Sequence, residues 1–181
     1  MAVILAYPGY SFRQGRYTRA MEKSLQETYA PETTCFGCGP ANPKGLRIRS
    51  FPEGEGLVCR FTPEPHHEGY PGFLNGGIVG TLFDCHMNWT AAYFLMQRDK
   101  LPAPANTVTA EFCVYLEKPT PSNQELTVRA RVVDAGNRRV TVEGELYAGE
   151  QRTARARGVF VAVKESHPGW GRWSRGEQPE R

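Results

Sequence analysis

The chain has 181 residues, enough for one domain with ragged ends, and its 40% hydrophobic and 23% charged residues allow a packed core and exclude global disorder. A net charge of +3 without a dense Lys/Arg stripe argues against a nucleic-acid partner and leaves small acidic ligands compatible. Five cysteines, an odd number at low density, exclude a disulfide-stapled secreted scaffold and read as reduced thiols, as in a cytoplasmic protein.

In chain order, "MAVILAYPGYSF" lacks the basic lead and the apolar length of a signal peptide. No segment reaches the roughly 20 apolar residues that span a bilayer, so no membrane partner is expected. Residues 1–33 read as a peripheral extension holding one helix in "YTRAMEKSLQETYA", with Met21, Leu25 and Tyr29 on one face. The domain proper is expected over 34–164. Its first motif, Cys35-x-x-Cys38, is half of a zinc site. No second Cys pair or spaced His pair follows it, and the adjacent His66 and His67 would point apart on an extended chain, so no metal is expected. "GLRIRSF" and "GLVCRFT" alternate around the turn "PEGEG" and read as a hairpin.

"GGIVGTLFDCHMNWTAAYFLM" follows, apolar around its whole circumference and free of Pro, which reads as a long helix buried on most sides. Four strand-like runs come next: "NTVTAEFCVYLEK", "QELTVRARVVDAG", "RRVTVEGELYAG" and "QRTARARGVFVAVK". In the second, Leu126, Val128, Ala130 and Val132 share a dry face opposite Thr127, Arg129 and Arg131. The economical architecture is α+β, a curved antiparallel sheet wrapped around one central helix, with the four late strands expected as a meander. Residues 165–181, rich in Gly, Pro and Arg, read as a flexible tail.

Two features of the central helix carry chemistry. Gly76-Gly77 at its start exposes backbone N–H groups at the positive end of the helix dipole, a setting for an oxyanion, or else serves only a tight turn and close packing. Asp84 interrupts the apolar run, a costly place for a carboxylate, and is either functional or a structural partner of Asn88 or Thr81. Eight residues at ~1.5 Å each separate Gly76 from Asp84 by about 12 Å, too far for one reacting carbonyl. Two antiparallel copies of the helix across a two-fold axis would bring each Gly76 to the other copy's Asp84, so a dimer with shared sites is expected if both features are catalytic. Cys85 points about 100° from Asp84 and reads as core, Cys113 as core or interface, and His86 lies nearly opposite Asp84, which argues against an Asp–His dyad in one chain.

In order and spacing, "CFGCGPANPKGLRIRSF", "HEGYPGFLNGGIVGTLFDCHMNW" and "TVTAEFCVYLEKPTP" resemble the hotdog-fold acyl-CoA thioesterases, their PaaI-like branch above all, over about residues 35–163. The signature His-Gly-Gly, six residues, then Asp or Glu falls here on Asn75, Gly76, Gly77 and Asp84. The resemblance implies a homo-oligomer, dimer or tetramer, that hydrolyses an acyl-CoA thioester at interface sites and needs no metal or other cofactor. It implies Asp84 as nucleophile or general base. The Gly76 N–H, with that of Gly77, polarises the carbonyl. Thr109, or else Thr107, positions the carboxylate or water. Asn75 departs from the frequent His: it orients the carbonyl or caps the helix. His67 stands where the family often has a His, and is either a site residue or a solvated loop residue. Lys118, Arg138 and Arg139 are phosphate contacts for CoA or else solvated turn residues. Trp89, Tyr93 and Phe94 bound an acyl pocket or belong to the core. Two alternatives stay open: a hotdog protein that binds acyl-CoA without chemistry, and a hotdog hydratase or dehydratase.

Overall fold

The computed structural model describes residues 23–171. Chain order opens with helix α1 (Leu25–Tyr29), started by a capping box in which Ser24 Oγ accepts from Glu27 N at 3.2 Å and the Glu27 carboxylate accepts from Ser24 N at 2.9 Å. It is shorter than the helix expected from sequence, and Met21 lies outside the described residues. Nor is it peripheral. Leu25 is fully buried, and the buried Gln26 side chain bonds both the backbone N–H and the hydroxyl of Ser50. The last turn of the supposed extension is thus part of the core.

The predicted hairpin forms from β1 (Phe51–Glu53) and β2 (Gly56–Phe61), but β1 starts late. Arg47 takes a positive φ of 52°, and the N–H groups of Leu46 and Ile48 go to the carbonyls of Phe36 and Gly37, so this stretch braces the Cys35–Cys38 loop instead of pairing with β2. A 3₁₀ turn (Pro65–His67) leads into a small hairpin of β3 (Glu68–Tyr70) and β4 (Phe73–Leu74), too short to show a periodicity. Helix α2 (Gly76–Asp99) follows, then β5 (Thr107–Leu116), β6 (Leu126–Ala135), β7 (Arg139–Ala148) and β8 (Gln151–Ala162).

The main sheet is antiparallel in the order β1-β2-β6-β7-β8-β5. Only β6–β7–β8 is a meander. β5 does not pair with β6, as the expected four-strand meander required, but crosses to the far side of β8. Helix α2 packs on one face of this sheet. Leu126, Val128 and Ala130 of β6 face it fully buried while Arg129 and Arg131 are exposed, the alternation read from sequence. Contact is close enough that a Cβ at Gly144 of β7 would lie 2.9 Å from Met87 Sδ and Phe83 Cδ1 of the helix. The helix ends at Lys100 in the left-handed region, where the N–H groups of Lys100 and Leu101 return to the Met96 carbonyl. No described helix is long and apolar enough to cross a membrane.

Candidate functional site

Helix α2 starts where the β4 backbone is fixed on both sides. Leu74 N donates to Thr120 O and Asn75 N to His67 O, each at 2.9 Å. Asn75 sits at the N-cap with φ −64° and ψ 135°, and its side-chain oxygen accepts from Gly77 N at 2.7 Å. The capping alternative for Asn75 therefore holds in this geometry, and it occupies the Gly77 N–H. Among the described residues the Gly76 N–H has no partner. It borders a groove of about 320 Å³ with Tyr70, Phe73, Leu116 and Lys118.

Asp84 is not sealed in the core, as its apolar flanks suggested. It is half-buried, because Gly77, Gly80, Thr81 and Asp84 recur on one helix face that β5 covers only along one side. This face lines a second groove, of about 430 Å³, with Phe36, Phe112 and Cys35. Neither Thr81 nor Asn88 bonds the carboxylate. Thr81 Oγ1 donates to the Gly77 carbonyl at 2.9 Å, while Asp84 Oδ1 accepts from Thr109 Oγ1 of β5 at 2.6 Å.

Behind that bond runs a chain with one direction. Thr107 Oγ1 donates to Asn88 Oδ1 at 2.6 Å, Asn88 Nδ2 donates to Thr109 Oγ1 at 3.4 Å, and Thr109 donates onward to the carboxylate. Each donation polarises the next donor, which strengthens the Thr109 hydrogen bond that holds the Asp84 carboxylate. Thr107 is fully buried, so the alternative in which it positions the carboxylate or a water, or touches a substrate, is corrected to a role one step back, orienting Asn88. Asn88, buried on α2, is the middle member of this chain, and the sequence reading considered it only as a partner of Asp84.

Other sequence-predicted residues fall elsewhere. His67 is neither solvated nor in either groove: it is buried, its Nδ1 accepts from Glu64 N at 2.9 Å, and its ring packs on Phe61. Burial, with the neighbouring His66, lowers its pKa and so disfavours the charged ring. Arg138 reaches the Ala162 carbonyl through Nε and Nη2 at 2.9 and 2.6 Å. Arg139 pairs with Glu111 at 3.5 Å. Neither lines the Asp84 or the Gly76 groove, whereas Lys118 does border the latter. His86 is fully buried on the opposite side of α2, between Ser50 Oγ and the Leu57 carbonyl. Trp89 is fully buried core, and Tyr93 and Phe94 are half-buried against it.

The helix also brings a third thiol to the Cys35–Cys38 pair. The sulfurs of Cys35, Cys38 and Cys85 lie within 4.8 Å of one another, with Cys35 Sγ and Cys85 Sγ 3.9 Å apart. Cys85 is core, as expected, but its sulfur faces the loop. Spacing held no sign of this, since fifty residues separate it from Cys35.

The profile of the Thioesterase superfamily matches residues 71–155, which span both grooves' helix residues and β5. No curated protein matches the chain. Among solved structures, a thioesterase superfamily protein from Shewanella loihica is similar at 31% identity and TM-score 0.53, over 65% of this chain and 91% of its own. A Bacillus halodurans protein crystallised with CoA is similar at 25% identity and TM-score 0.54, over 66% of this chain and 76% of its own. The PaaI protein of the E. coli phenylacetic acid degradation operon shares the fold at 16% identity and TM-score 0.56, over 66% and 81%.

Proposed function

Because the chain belongs to the thioesterase superfamily, we propose that it hydrolyses an acyl-CoA thioester at a site shared between two protomers, as a PaaI-like hotdog enzyme. The thioester oxygen takes the Gly76 N–H of one protomer, at the positive end of α2. Asp84 of the other removes a proton from the water that attacks the carbonyl carbon and the departing CoA sulfur takes that proton, or Asp84 itself attacks the carbon to give an anhydride that a water then hydrolyses, the water's proton balancing the thiolate that left. Thr109 holds one carboxylate oxygen, leaving the other for the reaction. Gly77, whose N–H is engaged by Asn75, supplies space and no donor.

The observation that carries this reading is the one-way chain Thr107–Asn88–Thr109–Asp84, which ends on an accessible carboxylate at the edge of a groove. Sharing between protomers is supported by the unfinished edge of the sheet. β5 is a ten-residue edge strand that leaves Tyr115 and Leu116 44% and 59% exposed. An edge this long and apolar is normally covered, and pairing with a second β5 across a two-fold axis covers it. The same axis sets the low Gly77–Gly80–Thr81 face of α2 against its mate. The CoA held by the Bacillus halodurans protein supports the class of leaving group. Lys118, exposed at the Gly76 groove, suits a CoA phosphate better than Arg138 or Arg139, both already engaged.

The test is incubation with short, medium and aromatic acyl-CoAs while free thiol release is followed. Release that depends on Asp84 supports hydrolysis. Tight acyl-CoA binding without release supports the second reading, a binding protein. Asn75 favours that reading, because its cap leaves one backbone donor where two were expected. The hydratase alternative loses its Asp–His pair, since His86 faces away from Asp84.

A further inference from the structure

We infer that Cys35, Cys38 and Cys85 form a site for a thiophilic divalent cation, zinc above all, in the wall beside the Asp84 groove. This does not rest on the thioesterase reading. Four ligands around zinc at about 2.3 Å in tetrahedral array stand about 3.8 Å from one another. Cys35 Sγ and Cys85 Sγ are 3.9 Å apart, and all three sulfurs lie within 4.8 Å, so closure onto a cation asks for shifts of under an ångström or so.

The surroundings are built for this approach. Cys35-Phe36-Gly37-Cys38-Gly39 is a tight loop closed by Gly39 N donating to Cys35 O at 2.9 Å. Both glycines are required by space: a Cβ at Gly37 would overlap the Cys85 sulfur, and one at Gly39 would lie 2.5 Å from Cys35 N. Leu46 and Ile48 hold the loop from outside through their N–H groups. Trp89, one turn beyond Cys85, donates its indole N–H to Cys38 Sγ at 3.3 Å, an outer hydrogen bond of the kind that orients a ligating sulfur. Cys59 and Cys113 stand outside the cluster, so the gathering is specific to these three.

Among the described residues no His or carboxylate joins the three sulfurs, which leaves one coordination position to an exchangeable ligand. Cys35, half-buried, faces the groove that Asp84 lines, so that ligand is a water from the groove. Each thiol releases its proton to solvent on binding, and the cation ties the Cys35–Gly39 loop to α2.

The experiment uses the reduced full-length protein, stripped with a chelator and titrated with Co(II), then Zn(II). The expected result is a thiolate-to-cobalt charge-transfer band that saturates at one cobalt per chain and is displaced by zinc. Zinc also raises the melting temperature. Cys35→Ser and Cys85→Ser lose the band and the shift; Cys113→Ser keeps both. Should Cys85→Ser fail to fold, Cys35→Ser decides, because Cys35 lies in a half-exposed loop. No band at excess cobalt, or an undiminished band in Cys35→Ser, overturns the inference.

Discussion

Asp84 and Thr109 meet at 2.6 Å across the gap between a helix and an edge strand, and the proposed chemistry turns on that contact. Asp84→Asn keeps the shape and removes the charge. We expect turnover to fall at least about a hundredfold with an unchanged melting temperature, measured as thiol release beside a thermal scan. Thr109→Val removes one hydrogen bond to a carboxylate, worth about 1.5–3 kcal/mol, so kcat should drop about tenfold or more while Thr109→Ser restores it. A merely structural Thr109 would show its loss in stability and leave kcat intact. Asp84 stood out in the sequence as the one carboxylate in an apolar run, and its spacing to the glycines was readable. Thr107 was not separable from Thr109, because two threonines two apart on a strand look alike until the burial of Thr107 and the bond from Thr109 to Asp84 distinguish them.

Among the elements, α2 is held at its start by one side chain and at its middle by another. Asn75→Ala removes the cap and should cost about 1 kcal/mol in urea unfolding, with Asn75→Asp retaining most of it. In the middle, His86 is locked neutral: Ser50 Oγ donates to Nδ1 at 2.9 Å and Nε2–H donates to the Leu57 carbonyl at 3.1 Å. Burial, opposed in part by the Leu57 bond, brings its pKa from 6.5 down to about 4. The unfolded chain therefore takes up the proton first as pH falls. The stabilisation is complete above about pH 6.5 and is lost on descent toward pH 4, up to on the order of 3 kcal/mol. Unfolding free energies across that range should decline in the wild type and decline less in His86→Gln; a flat wild-type profile would rule the locked histidine out. Strand β5 shows the other side of element-level reading. Its length and alternation were legible, its place at the sheet edge was not, since which strand it pairs with depends on the long connection to β6.

For the whole molecule, the proposed shared site predicts complementation between inactive partners. Gly76 occupies the first helical position, where Pro is tolerated, and Asn75 already has the extended backbone that precedes proline. Gly76→Pro thus deletes the N–H proposed to hold the oxyanion without removing the helix start. Homodimers of Gly76→Pro and of Asp84→Asn should each be inactive. Co-expressed, half of the random dimers are mixed and each mixed dimer holds one intact site, so about a quarter of wild-type activity should return. No recovery would place both groups in one chain or deny the dimer. Sedimentation should report a dimer or tetramer, and Leu116→Lys at the β5 edge should weaken it.

Local pattern alone settled the class of this protein: alternation made the strands, an uninterrupted apolar run made the helix, and the placement of Asn75, Gly76, Gly77 and Asp84 pointed to the thioesterase family. These signals are carried by residues within a few turns of one another, where backbone period and side-chain chemistry act directly. Tertiary structure decided what depends on distant segments meeting. It put β5 beside β8, turned Asp84 outward onto Thr109, buried His67 and Thr107, drew α1 into the core and added Cys85 to Cys35 and Cys38. Such contacts arise from packing one helix against one sheet, a competition among many surfaces that no short stretch of chain encodes by itself.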